Sequence, residues 1–386
     1  MEACFLYFGP FLHSSRGKKE IKTLAKNGVN VTVLAYAGKS FRSNKKDLGQ
    51  ADYNVIRYEI PDSRFKIIRV TSLVGFILWM IKKAIRFEVI HIHSPWLLPI
   101  AWVVRLLRRM FYRKRAKVIY DCHELEFDKA GLSNFGRMMI VFFENYFIRS
   151  CDHVITVTQG INDRYSEKYG ISHNKVIMNL PFHKSVSVNS KLRDQNDIGH
   201  DKTIFIYAGR LCEGRGIKEW VEACSKLNHL DVVFVMVGYG PMETWCRDQA
   251  GQFKNVYFND VIPQEDLIEY ITAADFGVNT PPLSCDSRIL AMPNKLFEYM
   301  MAGLAVVVCD NSTRAEYVKH NQCGVVSQSS SVDCIVNVIK EALLLDKGPL
   351  RKKSLELSRT YSWESQETLL LAMYGIKVQN HAQGYR

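Results

Sequence analysis

Residues 203–216, TIFIYAGRLCEGRG, pass from a run of β-branched and aromatic residues through Gly209 into a loop holding two arginines, and an amphipathic stretch opens near Ile217. A buried strand that ends in a glycine and is followed within eight residues by a helix is half of a parallel strand–helix–strand unit. The rhythm continues downstream through DVVFVMVG, NVYFND, FGVNT and AVVVCD, with helical stretches between. It also runs upstream through ACFLYFG, VNVTVLAY, EVIHIHS, KVIYDCH and HVITVT; KKEIKTLAKNG lies among these and closes at a capping Gly28. Alternation of this kind predicts an α/β fold with doubly wound parallel sheets.

At 386 residues the chain is longer than one hydrophobic core normally supports. The alternation breaks over residues 183–202, HKSVSVNSKLRDQNDIGHDK, a polar stretch without periodicity that reads as a connection. The predicted organisation is therefore a Rossmann-like domain over 1–182, a connection over 183–202, and a second Rossmann-like domain over 203–357. Two such units in tandem predict a cleft with ligands outside the carboxyl ends of the strands.

Composition narrows the class. A 47% hydrophobic and 23% charged chain reads as a globular protein, and its ten cysteines show no CxxC pair or zinc spacing, so they read as free thiols in a reducing compartment. The opening residues have no basic leader, and the longest apolar runs, LVGFILWMI and WLLPIAWVV, are too short to span a bilayer. Charge is lopsided: residues 1–182 carry 29 Lys and Arg against 15 Asp and Glu, and Arg64 to Lys117 hold 13 basic residues beside the single acid Glu88. Such a face calls for an anionic partner. Without an RNP or zinc signature it does not read as a nucleic-acid surface.

Two places carry chemistry. In the loop after Gly209, Arg210 and Arg215 stand at the end of a strand and before a helix N-terminus, where guanidiniums and backbone N–H groups can hold a pyrophosphate; solvated loop arginines are the alternative. In PNKLFEYMMAGLAVVV, residues 293–308, the lone acid Glu298 lies one helical turn from Asn294 in an apolar setting. A carboxylate there needs good partners. Vicinal sugar hydroxyls would serve, as would an intramolecular pair with Lys295 or Arg288.

The order GRL-x3-RG, VGYGP, IPQEDLIEYITAADFGV and PNKLFEYMMAG before a strand resembles glycosyltransferase family 4, retaining sugar-nucleotide enzymes of the GT-B fold. FLHSSRGKKEIKTLAKNGVNVTVLA, YDCHELEFD and DHVITVTQGINDRYSEKYG extend the resemblance into the first half. YSWESQETLLLAMYG is similar to the family's closing helix, so residues 358–386 are expected to return to the first domain. The resemblance places Gly209, Arg210 and Arg215 on the donor diphosphate, Glu298 on the ribose hydroxyls, and Asn294 and Lys295 beside them. It places His123, in DCHE, on the transferred sugar, with Glu124, Arg16 and Arg288 as sugar or acceptor contacts. It departs at Leu290, where the family commonly has a second glutamate eight positions before the ribose-binding one.

The resemblance thus implies a nucleotide-diphosphate sugar as co-substrate, no further cofactor, and retention of anomeric configuration. No convincing Asp-x-Asp motif or His/Cys set marks a metal, so none is expected. An epimerase of sugar nucleotides on the same fold and a non-catalytic basic binding protein are the competing readings. In WLLPIAWVVRLLRRMFYRKRAK, Arg105, Arg108 and Arg109 lie beside Leu106, Leu107, Met110 and Phe111. This mixture suits an anionic leaflet. The expectation is a cytoplasmic enzyme, peripheral on the inner face of the membrane, acting on a glycan or lipid-linked acceptor in the synthesis of cell-surface polysaccharide or lipopolysaccharide.

Overall fold

The computed structural model describes residues 1–9, 11, 14–37, 53–59 and 66–377. Arg64 of the basic run and residues 378–386 of the expected closing segment lie outside them. The chain divides into two compact units, residues 1–178 with the chain from Gln366, and residues 179–365.

Unit 1 is built from β1 (Glu2–Tyr7), α1 (Ser15–Lys26), β2 (Asn30–Ala37), β3 (Tyr53–Glu59), α2 (Lys66–Ala84), β4 (Val89–Ile92), α3 (Leu98–Tyr112), β5 (Lys117–Asp121), α4 (Asn134–Phe147), β6 (His153–Thr156), α5 (Gln159–Tyr169) and β7 (Asn174–Val176). The strands form one parallel sheet in the order β3-β2-β1-β4-β5-β6-β7. Unit 2 contains α6 (Lys191–Asn196), β8 (Thr203–Ala208), α7 (Ile217–Lys226), β9 (Val232–Val237), α8 (Glu243–Gln252), β10 (Val256–Asn259), α9 (Gln264–Tyr270), β11 (Phe276–Asn279), α10 (Asp286–Leu290), α11 (Asn294–Met301), β12 (Ala305–Cys309), α12 (Thr313–Asn321), β13 (Gly324–Ser327), α13 (Val332–Leu343) and α14 (Lys347–Thr360). Its sheet is also parallel, in the order β10-β9-β8-β11-β12-β13.

The central strands β8, β9 and β12 are buried at every position, which is why they read as continuous apolar runs. Phe205 stacks on Phe276 with centroids 4.9 Å apart, and Trp220 of α7 covers Phe205 and Phe234. Each such ring contributes on the order of 1.5–3 kcal/mol of burial. Strands β3, β7 and β13 do not stand out in the sequence. All three lie at sheet edges, where one side goes unpaired and the apolar alternation is weak. In unit 1, Glu144 fastens α4: it is fully buried and accepts hydrogen bonds from the hydroxyls of Tyr120, Tyr165 and Tyr169 at 2.6–2.9 Å.

The polar stretch 183–202 is part of unit 2. Leu192 of α6 is buried, and the side-chain amide of Asn189 donates to the Glu269 carbonyl at 2.7 Å. Its hydrogen-bonding residues dock it without an apolar period. At the other end, α15 (Glu364–Met373) carries the chain into unit 1, which it rejoins from Gln366 rather than at 358. There the Gln366 side-chain oxygen accepts from the Met178 N–H, Glu367 accepts from the Thr23 hydroxyl at 2.6 Å, and the Tyr374 hydroxyl lies 2.7 Å from His91 Nδ1.

Seven of the ten cysteines are buried and all ten are free thiols. The basic face of α3 needs correction. Arg108 is buried, donating to the carbonyls of Phe87 and Lys114, and Arg105 pairs with Asp152 at 2.9 Å. Both serve packing, whereas Arg109, Arg113, Lys114 and Arg115 are exposed. Among the described residues no helix is long and apolar enough to cross a membrane.

Candidate functional site

Both sheets direct their chemistry to the carboxyl ends of the strands. In unit 1, Asp121 closes β5 and is buried. Its Oδ2 accepts from Arg16 Nε at 2.7 Å and lies 3.1 Å from His123 Nε2 and 3.3 Å from His93 Nδ1. Arg16, on the first turn of α1, also lies 3.2 Å from Glu20 and donates to the Ile177 carbonyl. His93 follows β4, with Nδ1 2.9 Å from His123 Nε2. Burial disfavours charge on Asp121, but the Arg16 guanidinium and then His123 outweigh it and hold the carboxyl well below its usual range. Glu20 moves the other way, pushed well up by burial and by the charge on Asp121. Burial also pushes His93 down to about 4. At neutral pH the cluster holds the Arg16–Asp121 ion pair beside a neutral His93, with the Glu20 carboxyl biased toward its protonated form.

This gathering was not legible in the sequence, where the histidines looked scattered. Atoms of Glu20, His91, His93 and Asp121 lie within 4.8 Å of one another, a set that could hold a metal ion. The chain's own cation already lies against both carboxylates, because Arg16 touches Asp121 and Glu20. His123 is about one-third exposed, so it is the member that can meet a ligand while Asp121 and His93 position its ring. Glu124 stands apart, half exposed and 3.9 Å from Lys129.

In unit 2, the loop 209–216 links β8 to α7. Gly209 has φ +137°, and Gly238 after β9 has φ +144°; a side-chain carbon at Gly238 would lie 1.9 Å from the Gly209 carbonyl oxygen. Two strand-end loops therefore meet backbone to backbone, which is why VGYG has a glycine at position 238. Helix α11 joins the same place. Lys295 Nζ sits 3.7 Å from the centroid of the Tyr207 ring, and a side-chain carbon at Gly209 would come within 3.0 Å of it. Burial, with the charge of Arg215 adding to it, pushes Lys295 down to about 7. Arg210 and Arg215 are exposed in the loop, and Arg288 of α10 reaches Gly214 while donating to the Pro282 carbonyl.

Glu298 is 6% exposed; its Oε1 accepts from Gln264 at 2.6 Å and from the Asn294 side chain one turn earlier. The i, i+4 spacing made the Asn294 partner legible, whereas Gln264 comes from α9, 34 residues away. Arg314 had no sequence signal at all. It lies on the first turn of α12, 2% exposed, and donates to the Ala291 carbonyl next to Leu290. Its Nε and Nη2 have no partner among the described residues. Burial lowers it to about 10, with Arg215 and Arg288 adding repulsion.

Residues 20–178 match the model of Glycosyltransferase Family 4, and residues 188–358 that of Glycosyl transferases group 1. The chain belongs to the family 4, group 1 glycosyltransferases. Relatives of this chain include WcaI of Escherichia coli, named for colanic acid biosynthesis, 23% identical over 63% of each chain. AmsK of Erwinia amylovora, named for amylovoran biosynthesis, is 27% identical over 39% of this chain and 38% of its own. The matches thus span less than two thirds of these relatives. The structure of HepE from Anabaena in complex with UDP-glucose superimposes on 97% of this chain and 99% of HepE, with a TM-score of 0.75 and 15% identity. That likeness establishes the GT-B fold.

Proposed function

We propose that the protein is a retaining, metal-independent glycosyltransferase that takes a sugar from a nucleoside-diphosphate donor held on unit 2 and delivers it to a glycan or lipid-linked acceptor held on unit 1. The observation that carries this reading is Glu298, a buried carboxylate on the helix whose Lys295 meets the Gly209 loop. Glu298 binds the ribose hydroxyls, with Asn294 beside it. Arg210, Arg215 and Lys295 hold the diphosphate, and Arg288 lies beside the transferred sugar near Leu290. HepE binding UDP-glucose on the same fold supports a nucleotide-sugar donor, and the names of WcaI and AmsK support a surface polysaccharide as product.

In the reaction the bond from the anomeric carbon to the phosphate oxygen breaks, and a bond to the acceptor oxygen forms on the same face. The acceptor's proton passes to the departing diphosphate. Negative charge grows on that leaving group, and the cations of the Gly209 loop stabilise it without a metal. His123 acts on the sugar, with Arg16 fixing Asp121 behind it. The protein works on an anionic membrane surface at the cytoplasmic face. Met110 and Phe111 of α3 and Phe135 and Tyr146 of α4 are 68–70% exposed in the basic unit, a mixture suited to a lipid interface.

A thermal-shift screen against UDP-, GDP-, ADP- and TDP-sugars tests the donor assignment, because a ligand that binds the folded state raises its apparent stability. One nucleotide class should stabilise the protein, and Glu298→Ala should remove the shift. No response to any, or an equal response in Glu298→Ala, overturns it.

A further inference from the structure

The face of unit 1 formed by α2 and α3 contains a groove of about 380 Å³ lined by Phe8, Leu73, Ile77, Trp96, Ile100 and Phe143, together with other apolar side chains. Its place in the fold is informative. Phe8 directly follows β1, and Trp96 lies three residues after His93, so the groove opens at the carboxyl edge of the sheet, where Asp121, His93 and His123 cluster. Phe8, Leu73 and Trp96 are 51%, 39% and 37% exposed at this mouth. From there the groove follows α2 from Leu73 to Ile81, two turns or about 12 Å.

Resting on the lipid-linked acceptor reading above, we infer that this groove holds the hydrocarbon chain of the acceptor, with the chain's anionic head directed to the His123 edge. Three observations favour a hydrocarbon over a polypeptide. Apart from Phe8, the walls are apolar side chains on helical turns whose backbone groups are already bonded, so a peptide would bury N–H and C=O groups without partners, whereas a hydrocarbon has none to bury. The surroundings are cationic. The opposite side of α3 borders a second concavity lined by Arg105, Arg109, Arg115 and Arg149, and α2 ends in Lys82 and Lys83 beyond the far end of the groove, cations that suit the anionic membrane surface in which a lipid-linked acceptor resides rather than its head at the mouth. Finally, Trp96 at the mouth, beside Phe143 of the helix fastened by Glu144, pairs an apolar ring with an N–H donor, as is usual at a lipid–water boundary.

The groove also sets what the acceptor must be. A sugar or oligosaccharide alone would leave it unfilled, so chain length should control binding. The test uses n-alkyl phosphates of four to twelve carbons below their micelle concentration, with inorganic phosphate as the chainless control, and reads tryptophan fluorescence and calorimetry on the full chain. Affinity should tighten by up to about fourfold per added methylene, about 0.8 kcal/mol each, and level off once the groove is full. Ile77→Trp, which fills the groove, and Leu73→Ser, at its exposed mouth, should each weaken the longer chains at least tenfold and leave inorganic phosphate unchanged; circular dichroism and thermal unfolding verify that both fold. Affinity independent of chain length, or long-chain binding unchanged in both variants, overturns the inference. So does self-association that Ile77→Trp abolishes without any chain-dependent binding, which would mark a protein contact. Nucleotide-sugar binding, measured in parallel on unit 2, fails or survives independently and so separates this inference from the donor assignment.

Discussion

Arg16 in unit 1 and Arg314 in unit 2 are both buried at the carboxyl edge of a parallel sheet, and they are balanced in opposite ways. Arg16 lies against Asp121 and Glu20, 2.7 and 3.2 Å away. Arg314 donates to one backbone carbonyl and keeps two nitrogens without partners among the described residues, with Arg215 and Arg288 nearby. Unit 1 balances its charge from within and uses the pair to hold His123 in place. Unit 2 gathers cations that an anionic ligand would balance. A buried pair resists loss of either member, whereas a buried unpartnered cation costs stability until something negative arrives.

The largest effect should come from removing the internal balance. The double variant Glu20→Gln, Asp121→Asn leaves Arg16 buried with no carboxylate and should cost about 3–5 kcal/mol in urea unfolding. Arg314→Met, by contrast, should leave the ligand-free protein as stable as the parent or more so, while weakening nucleotide-sugar binding. Equal losses in both would break the comparison. Next in size, Glu298→Ala and Arg210→Ala should each reduce donor affinity or turnover about tenfold to a hundredfold, as expected for a charge-assisted hydrogen bond of about 1.5–3 kcal/mol, with thermal unfolding unchanged. Unaltered kinetics in both folded variants would remove the donor site from this loop.

A pH dependence sharpens the contrast. Lys295 lies near 7 in the free protein. A bound diphosphate favours its charged form, so binding above pH 7 must take up a proton, and donor affinity should fall as pH rises from 7 to 8.5, by at most about tenfold per unit. Lys295→Arg stays charged and should flatten the profile; calorimetry in buffers of different ionisation heat would detect the proton. A parent profile as flat as the variant's would place Lys295 away from the anion. The smallest effect concerns α3. Arg109→Gln should weaken binding to anionic vesicles about fivefold, near 1 kcal/mol, without changing stability. Arg108→Gln should instead lower the unfolding midpoint, because its hydrogen bonds to Phe87 and Lys114 are internal. Reversal of these two outcomes would restore Arg108 to the lipid-facing surface.

The alternation of strand and helix, the two-unit organisation, the Gly209 loop and the Asn294–Glu298 turn were determined by the sequence alone. Each depends on neighbours within a few residues, where hydrophobic period, turn residues and i, i+4 spacing act directly. Tertiary structure decided what distant segments supply. Arg16 meets Asp121 across 105 positions and Glu298 meets Gln264 across 34. Arg108, which shares a basic run with Arg109, turned inward, and the polar stretch 183–202 became part of a folded unit through side-chain hydrogen bonds that have no period. Strand order brings the ends of β4 and β5 side by side, and that adjacency turns His93, Asp121 and His123 into one cluster. Pairing between strands far apart in the chain leaves no local repeat, so those partners appear only when the sheet closes.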